Sequence, residues 1–409
     1  MTSMVERGAG LDIHQATIVA TVRVPDNRGG RTVTTQTFGT MTIDLLTLRD
    51  WLQACGVTHV AMESTGVYWK PIYYLLEDGF TVILVNMHHL KMVPGRKTDV
   101  SDSAWLAQCL EWGLLRGSLI PPAPIRDLRD LTRYRKKQIE DRTQEVNRLH
   151  KVLEEAGLKL SSVLTDVLGK SGRAMLEGLL AGTTDPATLA ELARGRLRQK
   201  LPALREALRG PFRAPHAFLL GQILAKIDFL EEAIRQLTDE IDRQVRPFEA
   251  TLERLMTIPG VARRTATTLI AETGGDMTPF ATARHLCSWA AVCPGHNQSG
   301  GKRRSGKTRD GNRFLRGALI EAGWACTRAK HTALQARYLR VKRHRGPKKA
   351  VVAVGHQILE IAYYIMRDGV DYHELGADYF ARRDRDRATQ RHLKQLQALG
   401  YRVTLEPAA

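Results

Sequence analysis

Gly10-Leu11-Asp12-Ile13 is the stretch that decides the fold of the N-terminal part of this chain. It opens a run over 10–24 that is rich in apolar and β-branched residues, and we predict a strand or a hairpin there. Asp12 lies between Leu11 and Ile13, and an acid inside such a strand is costly unless it is paired or bound to a metal. Asp12 is therefore the first candidate for a metal-binding carboxylate.

Three further acids extend this interpretation. Glu63 ends the β-like stretch His59-Val60-Ala61-Met62-Glu63, and Asp99 and Asp102 begin a helical pattern in which a spacing of three puts both on one face. Carboxylates from two strand ends and a helix start can converge on hard cations such as Mg²⁺. Two such ions, about 4 Å apart, can activate a nucleophile and stabilise the leaving oxygen of a phosphodiester.

The alternative for Asp99 and Asp102 is structural, because acids in a first helical turn interact favourably with the helix dipole. The order and placement of all four acids nevertheless favour a ribonuclease-H-like nuclease. The surrounding pattern predicts an α/β domain over 1–120. Its strand candidates are 10–24, 32–38, 57–63 and 80–86, and its helix candidates are 43–54, 70–78 and 99–115. Pro121-Pro122-Ala123-Pro124-Ile125 then predicts a linker, since proline breaks a helix.

The amino-acid composition narrows the classes of partner and compartment that this chain can have. The 409 residues carry a formal charge of +18 and a sequence pI near 9.9, which favours a polyanionic partner. No apolar run approaches the length of a membrane span, and no signal-peptide pattern opens the chain. The five cysteines lack Cys-x-x-Cys spacing, which argues against a disulfide framework or a zinc site and fits a reducing cytoplasm.

The part beyond the linker is predicted to be almost entirely helical. Apolar residues recur every three or four positions between Leu220 and Ile241, over about three heptads, and a weaker series runs from Leu128 to Leu153. A coiled coil is one interpretation, and an amphipathic helix packed on its own domain is the other. An antiparallel pair of these two helices, with a contact between subunits, satisfies both.

Ile258-Pro259-Gly260-Val261 predicts a tight turn between two helices. Such a helix-hairpin-helix can offer backbone N–H groups and a helix N-terminus to a phosphate. Arg263 and Arg264 lie beside this position and are candidates for nucleic-acid binding. An ordinary turn between two helices is the alternative, because Pro-Gly turns are common.

The segment 294–312 combines glycines, hydroxyl residues and a dense row of cations before a helix that starts near Arg313. Glycine permits close approach to a ligand, and cations neutralise phosphates; a solvated basic loop is the alternative. Composition alone does not choose between Ser299, Ser305 and Thr308 as a reactive hydroxyl. The candidates for nucleic-acid binding in this region are Lys302, Arg303, Arg304, Lys307, Arg309 and Arg313.

The letters from Gly301 to Thr308 also fit a nucleotide-binding P-loop. The context argues against that function, because no hydrophobic strand leads into Gly301. A helix also does not open at Lys307, since Asp310-Gly311-Asn312 intervenes.

Taken together, these motifs resemble the IS110 family of insertion-sequence transposases. Leu11-Asp12-Ile13, Glu63-Ser64-Thr65-Gly66 and Lys97-Thr98-Asp99-Val100-Ser101-Asp102 look like the family's RuvC-like DEDD domain. The 258–261 turn, Ser299-Gly300-Gly301-Lys302-Arg303-Arg304 and the motif that follows at 311–316 look like its second, transposase domain. The implied domains are a DEDD nuclease (1–120), a helical coiled-coil or dimerisation region (121–250), a transposase domain (251–370) and a basic tail (371–409).

The resemblance implies a recombinase guided by a structured bridge RNA that pairs with donor and target double-stranded DNA. It implies that Asp12, Glu63, Asp99 and Asp102 bind Mg²⁺, and that Ser299 forms a covalent phosphoserine link to DNA. Family members assemble as homodimers paired into homotetramers, and the expected location is the bacterial cytoplasm, at the nucleoid. No membrane partner is expected.

Two other functions remain open from the sequence. A structure-specific (Holliday-junction) endonuclease would use the same four acids with water as the nucleophile and no serine. A non-catalytic nucleic-acid-binding protein would use only the turn and the basic patches. An acid cluster without a catalytic role would weaken DNA affinity, which disfavours the second of these functions.

Overall fold

The computed structural model describes residues 4–26, 28–64, 66–85, 102–295 and 297–404. By its internal contacts the chain divides into two compact units, Met1–Ile120 and Pro121–Ala409. Each unit has its own hydrophobic core, and each is described by itself below.

The first unit is built on a five-stranded mixed sheet with the strand order β3-β2-β1-β4-β5. The strands are β1 (Gly8–Ile13), β2 (Thr17–Pro25), β3 (Arg31–Gly39), β4 (His59–Glu63) and β5 (Thr81–Val85). The first three are antiparallel, so the predicted run over 10–24 is a hairpin, whereas β4 pairs in parallel with both β1 and β5. This α/β architecture is compatible with the expected ribonuclease-H-like domain.

Helices cover both faces of the central strand. Helices α1 (Thr42–Ala54) and α2 (Trp69–Leu76) pack on the face of β1 that presents Leu11 and Ile13, because alternate residues of a strand share a face. Helix α3 (Asp102–Glu111) packs on the opposite face through Leu106 and Leu110. The acid-bearing strand β1 is thus buried between two layers of helix, which explains its run of apolar residues.

Two long helices, α4 (Ala123–Glu155) and α9 (Ala214–Gln244), organise the second unit. Arg142 of α4 pairs with Glu231 of α9. Glu145, which is three residues further along α4, pairs with Lys226, which is five residues further back on α9, so the two helices run antiparallel. The repeating positions Leu220, Ile227, Leu230 and Ile241 of α9 are buried. The amphipathic-helix interpretation therefore accounts for this repeat, and a coiled coil between subunits stays a prediction.

Short helices fill the segment between this pair, where the sequence carries no firm signal. They are α5 (Leu160–Val163), α6 (Lys170–Leu180), α7 (Pro186–Glu191), a 3-10 helix (Gly195–Lys200) and α8 (Leu201–Ala207). Their leucines, including Leu176 and Leu204, share one core with Leu149 of α4 and Leu220 of α9. This segment is therefore held by packing against the long helices.

The remaining elements are mostly helical. They are a 3-10 helix (Arg246–Phe248), α10 (Glu249–Met256), α11 (Arg263–Thr273), α12 (Ala283–Trp289), a hairpin of β6 (Asn297–Ser299) and β7 (Lys302–Ser305), α13 (Arg313–Cys326), α14 (Ala333–Arg345), α15 (Pro347–Asp368), α16 (Tyr379–Arg383) and α17 (Arg385–Ala398). Helix α15 is buried along one face, as the apolar pattern predicts. In the described part of the chain, the helices are too short or too polar to cross a bilayer.

Candidate functional site

Asp12 and Glu63 lie at the carboxyl ends of adjacent parallel strands. Leu11 of β1 is in register with Met62 of β4, so Asp12 and Glu63 follow in the next positions and face the same side of the sheet. That side is the one covered by α3, because Ala61 of β4 packs with Leu106 and Leu110. The sheet thus brings the first two predicted acids together.

The backbone of helix α3 packs directly against the backbone of β1, and Gly10 makes this contact possible because it has no side chain. A Cβ added at Gly10 would lie 2.2 Å from the carbonyl oxygen of Ser103 and 2.5 Å from the amide nitrogen of Ala107. Gly8, earlier on β1, faces Leu110, later on α3, so helix and strand run in opposite directions. The N-terminus of α3, which carries Asp102, therefore lies at the same sheet edge as Asp12 and Glu63.

A hydrogen bond fixes this contact further. The hydroxyls of Thr21 on β2 and Ser103 on α3 lie 2.8 Å apart, and both side chains are buried. Sequence reasoning did not single out Gly10, Thr21 or Ser103. A glycine inside a strand is a known indication of close backbone approach, and that signal was present at Gly10.

The donors at this edge suit a hard cation, because they are carboxylate oxygens. Asp12 is mostly buried, and its Oδ2 lies 3.3 Å from Nε2 of His14. Asp99 lies outside the described residues. Among the residues described, no group of three or more His, Cys, Asp or Glu side chains is positioned to hold a metal ion. The three described acids thus share an edge without forming a complete ligand set.

Ser299 is the last residue of β6, immediately before the turn of the β6–β7 hairpin. Gly300 and Gly301 form that turn with φ values of +55° and +75°, which glycine adopts without strain and which a two-residue hairpin turn requires. Ser299 is exposed there and is paired with Lys302, whereas Ser305 is paired with Asn297 at the other end of the hairpin. Ser299 is thus the hydroxyl presented at the tip.

The base of this hairpin is closely packed. The amide of Gly295 donates to the carbonyl oxygen of Lys307 at 3.1 Å, and a Cβ at Gly295 would lie 2.2 Å from that oxygen. A Cβ at Gly311 would lie 2.4 Å from that of Ala291. The two glycines therefore let the chain enter and leave the hairpin side by side.

A buried polar network connects the end of the loop to the helices behind it. Asn312 caps α13, because its Oδ1 accepts hydrogen bonds from the amides of Phe314 and Leu315 at 3.1 Å each. Its Nδ2 donates to Glu272 at 2.6 Å, and Arg133 of α4 donates to both carboxylate oxygens of Glu272 at 2.8 and 2.7 Å. Glu272 is fully buried. Sequence reasoning missed this network, although an asparagine before a helical pattern indicates a cap.

The P-loop interpretation is not supported by this geometry. Helix α13 begins at Arg313, six residues after Lys307, and the strand before Gly301 has only three residues. A P-loop requires a buried strand before the glycines and a helix that opens at the lysine.

The turn at 258–261 joins α10 to α11 as predicted, but its outer face packs on α13. A Cβ at Gly260, whose φ is +84°, would lie 2.6 Å from the carbonyl oxygen of Ala322, and the thiol of Cys326 donates to the carbonyl of Pro259. Both predicted DNA-binding arginines are already paired: Arg263 binds Asp242 and Glu249, and Arg264 binds Glu321. The hydrogen bonds to Glu249 and Asp242 raise the pKa of Arg263.

The cations of the serine loop are more accessible. Lys302, Lys307, Arg309 and Arg313 are exposed. Arg309 donates to the hydroxyl of Ser288 at 2.8 Å, and the guanidinium of Arg313 lies 4.8 Å from the ring centre of Phe314. Arg303 and Arg304 lie on β7. The exposed cations that follow Ser299 suit an approach by a phosphate backbone.

Two family models match this chain, one in each part of the sequence. A family model for the DEDD domain of IS110 elements, described as a transposase, matches residues 9–157, which include all four predicted acids. A second model, described as the transposase IS116/IS110/IS902 family, matches residues 252–339, which include Ser299.

Two curated relatives cover most of the chain, and a third covers a shorter part. An uncharacterised protein of insertion element IS110 from Streptomyces coelicolor is 26% identical over 69% of this chain and 73% of its own length. The transposase for insertion sequence element IS1111A from Coxiella burnetii is 24% identical over 75% of this chain and 77% of its own. A pilin gene-inverting protein from Moraxella bovis is 31% identical over 28% of this chain and 36% of its own.

Proposed function

The chain belongs to the IS110 family of transposases, enzymes that act on DNA, and from this premise we propose that it is an RNA-guided recombinase. It cuts and rejoins donor and target double-stranded DNA of an insertion sequence through a covalent phosphoserine intermediate. The observation that carries this proposal is Ser299, exposed at the tip of a basic hairpin inside the transposase match.

The chemistry follows from the residues at the two sites. The hydroxyl oxygen of Ser299 attacks the scissile phosphorus, an O–P bond to the serine forms, and the P–O bond to one deoxyribose breaks. The serine hydroxyl gives up its proton and the departing sugar oxygen gains one, so the step is balanced. Because the phosphoserine link keeps the energy of the phosphodiester, rejoining requires no ATP.

The acids and the basic loop divide the remaining tasks. Asp12, Glu63, Asp99 and Asp102 would hold Mg²⁺, which supplies positive charge to the scissile phosphate and its attacking oxygen. Lys302, Arg303 and Arg304 neutralise the charge that grows on the phosphoryl oxygens. Arg309 and Arg313 bind the flanking backbone, and Lys307 contributes to the same positive surface.

The assembly and the guide are part of the same proposal. Homodimers paired into a tetramer would let the acids of one subunit act with Ser299 of another on the same phosphodiester. A net charge of +18 suits a protein that binds both a bridge RNA and DNA. A DNA recombinase of this kind would act at the nucleoid, in the bacterial cytoplasm.

Replacement of the serine tests the nucleophile. We expect Ser299→Ala to abolish the covalent protein–DNA adduct and to leave DNA and RNA affinity within about twofold, because the exposed hydroxyl contributes little to binding. Ser305→Ala, which removes the same group at the other end of the hairpin, is the matched control and should keep the adduct. Denaturing gels with labelled DNA measure both.

An adduct that survives in Ser299→Ala but disappears in Ser305→Ala would move the nucleophile to Ser305. Strand cleavage that continues in Ser299→Ala without any adduct would instead support the junction-resolving nuclease that uses water.

Sequencing of co-purified RNA tests the guide. When the protein is expressed together with the DNA that flanks its coding region, we expect one discrete, structured transcript to remain bound. A mixture of cellular RNAs at their ordinary abundance would contradict RNA guidance without affecting the serine mechanism.

A further inference from the structure

A small cleft in the second unit lies between helices α4, α11 and α13. Arg133, Arg135 and Lys136 line it from α4, Arg264 and Thr268 from α11, and Glu321 from α13. The cleft is small and open to solvent, with a cavity volume of about 30 Å³. The serine mechanism makes no use of it.

Arg135 is the unusual member of this cleft. Arg135 is only 7% exposed. Within the described part of the chain, its guanidinium forms no hydrogen bond or ion pair. Burial lowers the pKa of Arg135, and the nearby charge of Arg264 lowers it further. Asp242 opposes this shift, but its Oδ1 already accepts a hydrogen bond from Arg263 at 2.8 Å. The guanidinium lines the cleft, and among the described residues no carboxylate forms an ion pair with it, so an anion that enters the cleft can pair with Arg135.

The two carboxylates in the cleft already form ion pairs with other cations. Glu272 is bound by both nitrogens of Arg133, and Glu321 is bound by Lys136 at 2.8 Å and Arg264 at 3.0 Å. The cleft thus holds four cationic side chains and two carboxylates. Among the described residues Arg135 has no ion-pair partner, and an anion bound to it would also lie near Lys136 and Arg264. Thr268 lines the same wall, and its hydroxyl donates a hydrogen bond to the carbonyl oxygen of Arg264 at 2.9 Å.

We propose that this cleft binds one phosphate group of a nucleic-acid backbone. The planar guanidinium of Arg135 matches two phosphate oxygens, which a lysine or a lone amide cannot do. Lys136 and Arg264 turn from Glu321 toward the same group. The inference rests on the family's action on DNA and not on Ser299 as nucleophile, so the two can fail independently.

Thermal unfolding of the full chain in inorganic phosphate tests the site. At constant ionic strength, replacement of chloride by phosphate should raise Tm in the wild type by several degrees more than in Arg135→Met. Lys137→Met is the matched control: it removes the same charge from the same helix, but Lys137 is exposed, lies outside the cleft and pairs with Asp141. Lys137→Met should respond as the wild type does. Phosphate also stabilises proteins in general, and the control corrects for that effect.

An equal phosphate response in all three proteins would overturn the proposal. If Arg135→Met does not fold, Arg135→Lys replaces it, since it keeps the charge and removes the planar fork; an unchanged phosphate response in that variant overturns the proposal equally.

The salt dependence of nucleic-acid binding identifies the source of the phosphate. Removal of one protein–phosphate interaction should reduce the slope of log K against log salt by about 0.9 for duplex DNA and about 0.7 for single-stranded RNA. A change in Arg135→Met, but not in Lys137→Met, with one of these probes assigns the cleft to that nucleic acid. Free phosphate binding with unchanged slopes for both probes would contradict a nucleic-acid ligand.

Discussion

At the scale of single residues, the acid-bearing edge depends on a glycine as much as on its carboxylates. Gly10 lets the backbone of α3 lie directly on β1, and this contact sets the distance of Asp102 from the ends of the strands. The Thr21–Ser103 hydrogen bond at 2.8 Å holds the helix in the same position. The arrangement of the acids is therefore sensitive to changes that touch no acid.

Substitution of Gly10 tests this dependence. Gly10→Ala should destabilise the first unit by about 1–3 kcal/mol, since the added Cβ overlaps backbone atoms of α3 that cannot move alone. Strand cleavage should fall as well, because Asp102 is displaced. Gly79→Ala is the control, because a Cβ there meets only the end of the Gln53 side chain at 3.7 Å. Urea denaturation measures both, and equal stabilities would refute the role of Gly10.

Asn312 has two separable roles at the end of the serine loop. Asn312→Ala removes both the cap of α13 and the hydrogen bond to Glu272, whereas Asn312→Ser keeps a capping oxygen and removes only the hydrogen bond to Glu272. We expect the alanine variant to be about 1 kcal/mol less stable than the serine variant. Both should form the covalent adduct more slowly. An adduct rate in Asn312→Ser equal to that of the wild type would show that Glu272 does not position the loop.

At the scale of elements, alternating and three-to-four patterns were sufficient to predict the strands of the first unit and the longer helices, but not the short β6–β7 hairpin, which lies in the predicted loop 294–312. The strand-like run over 10–24, the strand that ends at Glu63 and the buried helix near 350–366 all follow from side-chain periodicity. The short helices between α4 and α9 did not follow, because they are held by packing against distant leucines such as Leu149 and Leu220. Local sequence does not record such packing.

The sequence also did not predict which charged side chains on the helices form ion pairs. The series on α4 includes Arg135 and Arg142, which look equivalent in the sequence. In the structure Arg142 pairs with Glu231, whereas Arg135 is buried in a cleft without a described partner. Which cation is paired depends on α9, α11 and α13, elements far away along the chain.

The junction of α4, α11 and α13 should respond to acid through Glu321. Burial alone would raise the pKa of Glu321, but Lys136 and Arg264 outweigh it and lower the pKa below the usual 4.5. A lowered pKa in the folded state means that the ionised group stabilises the fold above about pH 4.5 and loses this effect as the pH falls further. The wild type should therefore exceed Glu321→Gln in stability at pH 7, with a difference that shrinks below pH 4.5. A difference independent of pH from 7 to 3 would contradict this assignment.

At the scale of the whole molecule, the two units carry complementary chemistry. The first supplies carboxylates at one edge of a mixed sheet, and the second supplies a hydroxyl at the tip of a basic hairpin. Short sequence motifs predict both groups through Asp12, Glu63 and Ser299, and the roles of these residues stay predictions. Local signals were present at Gly10 and Asn312, but their partners Ala107 and Glu272 are distant in sequence and were not predicted. The proposed mechanism requires both units to act on one phosphodiester.

Peptide mapping of the trapped protein–DNA adduct tests this requirement most directly. Wild type and Asp12→Asn are each incubated in Mg²⁺ with co-purified RNA and DNA from the ends of the element, digested, and analysed by mass spectrometry. We predict a nucleotide attached to Ser299 in the wild type and none in Asp12→Asn, at equal DNA occupancy. A nucleotide on any other residue, or an undiminished Ser299 adduct in Asp12→Asn, would contradict the joint action of the carboxylates and the serine.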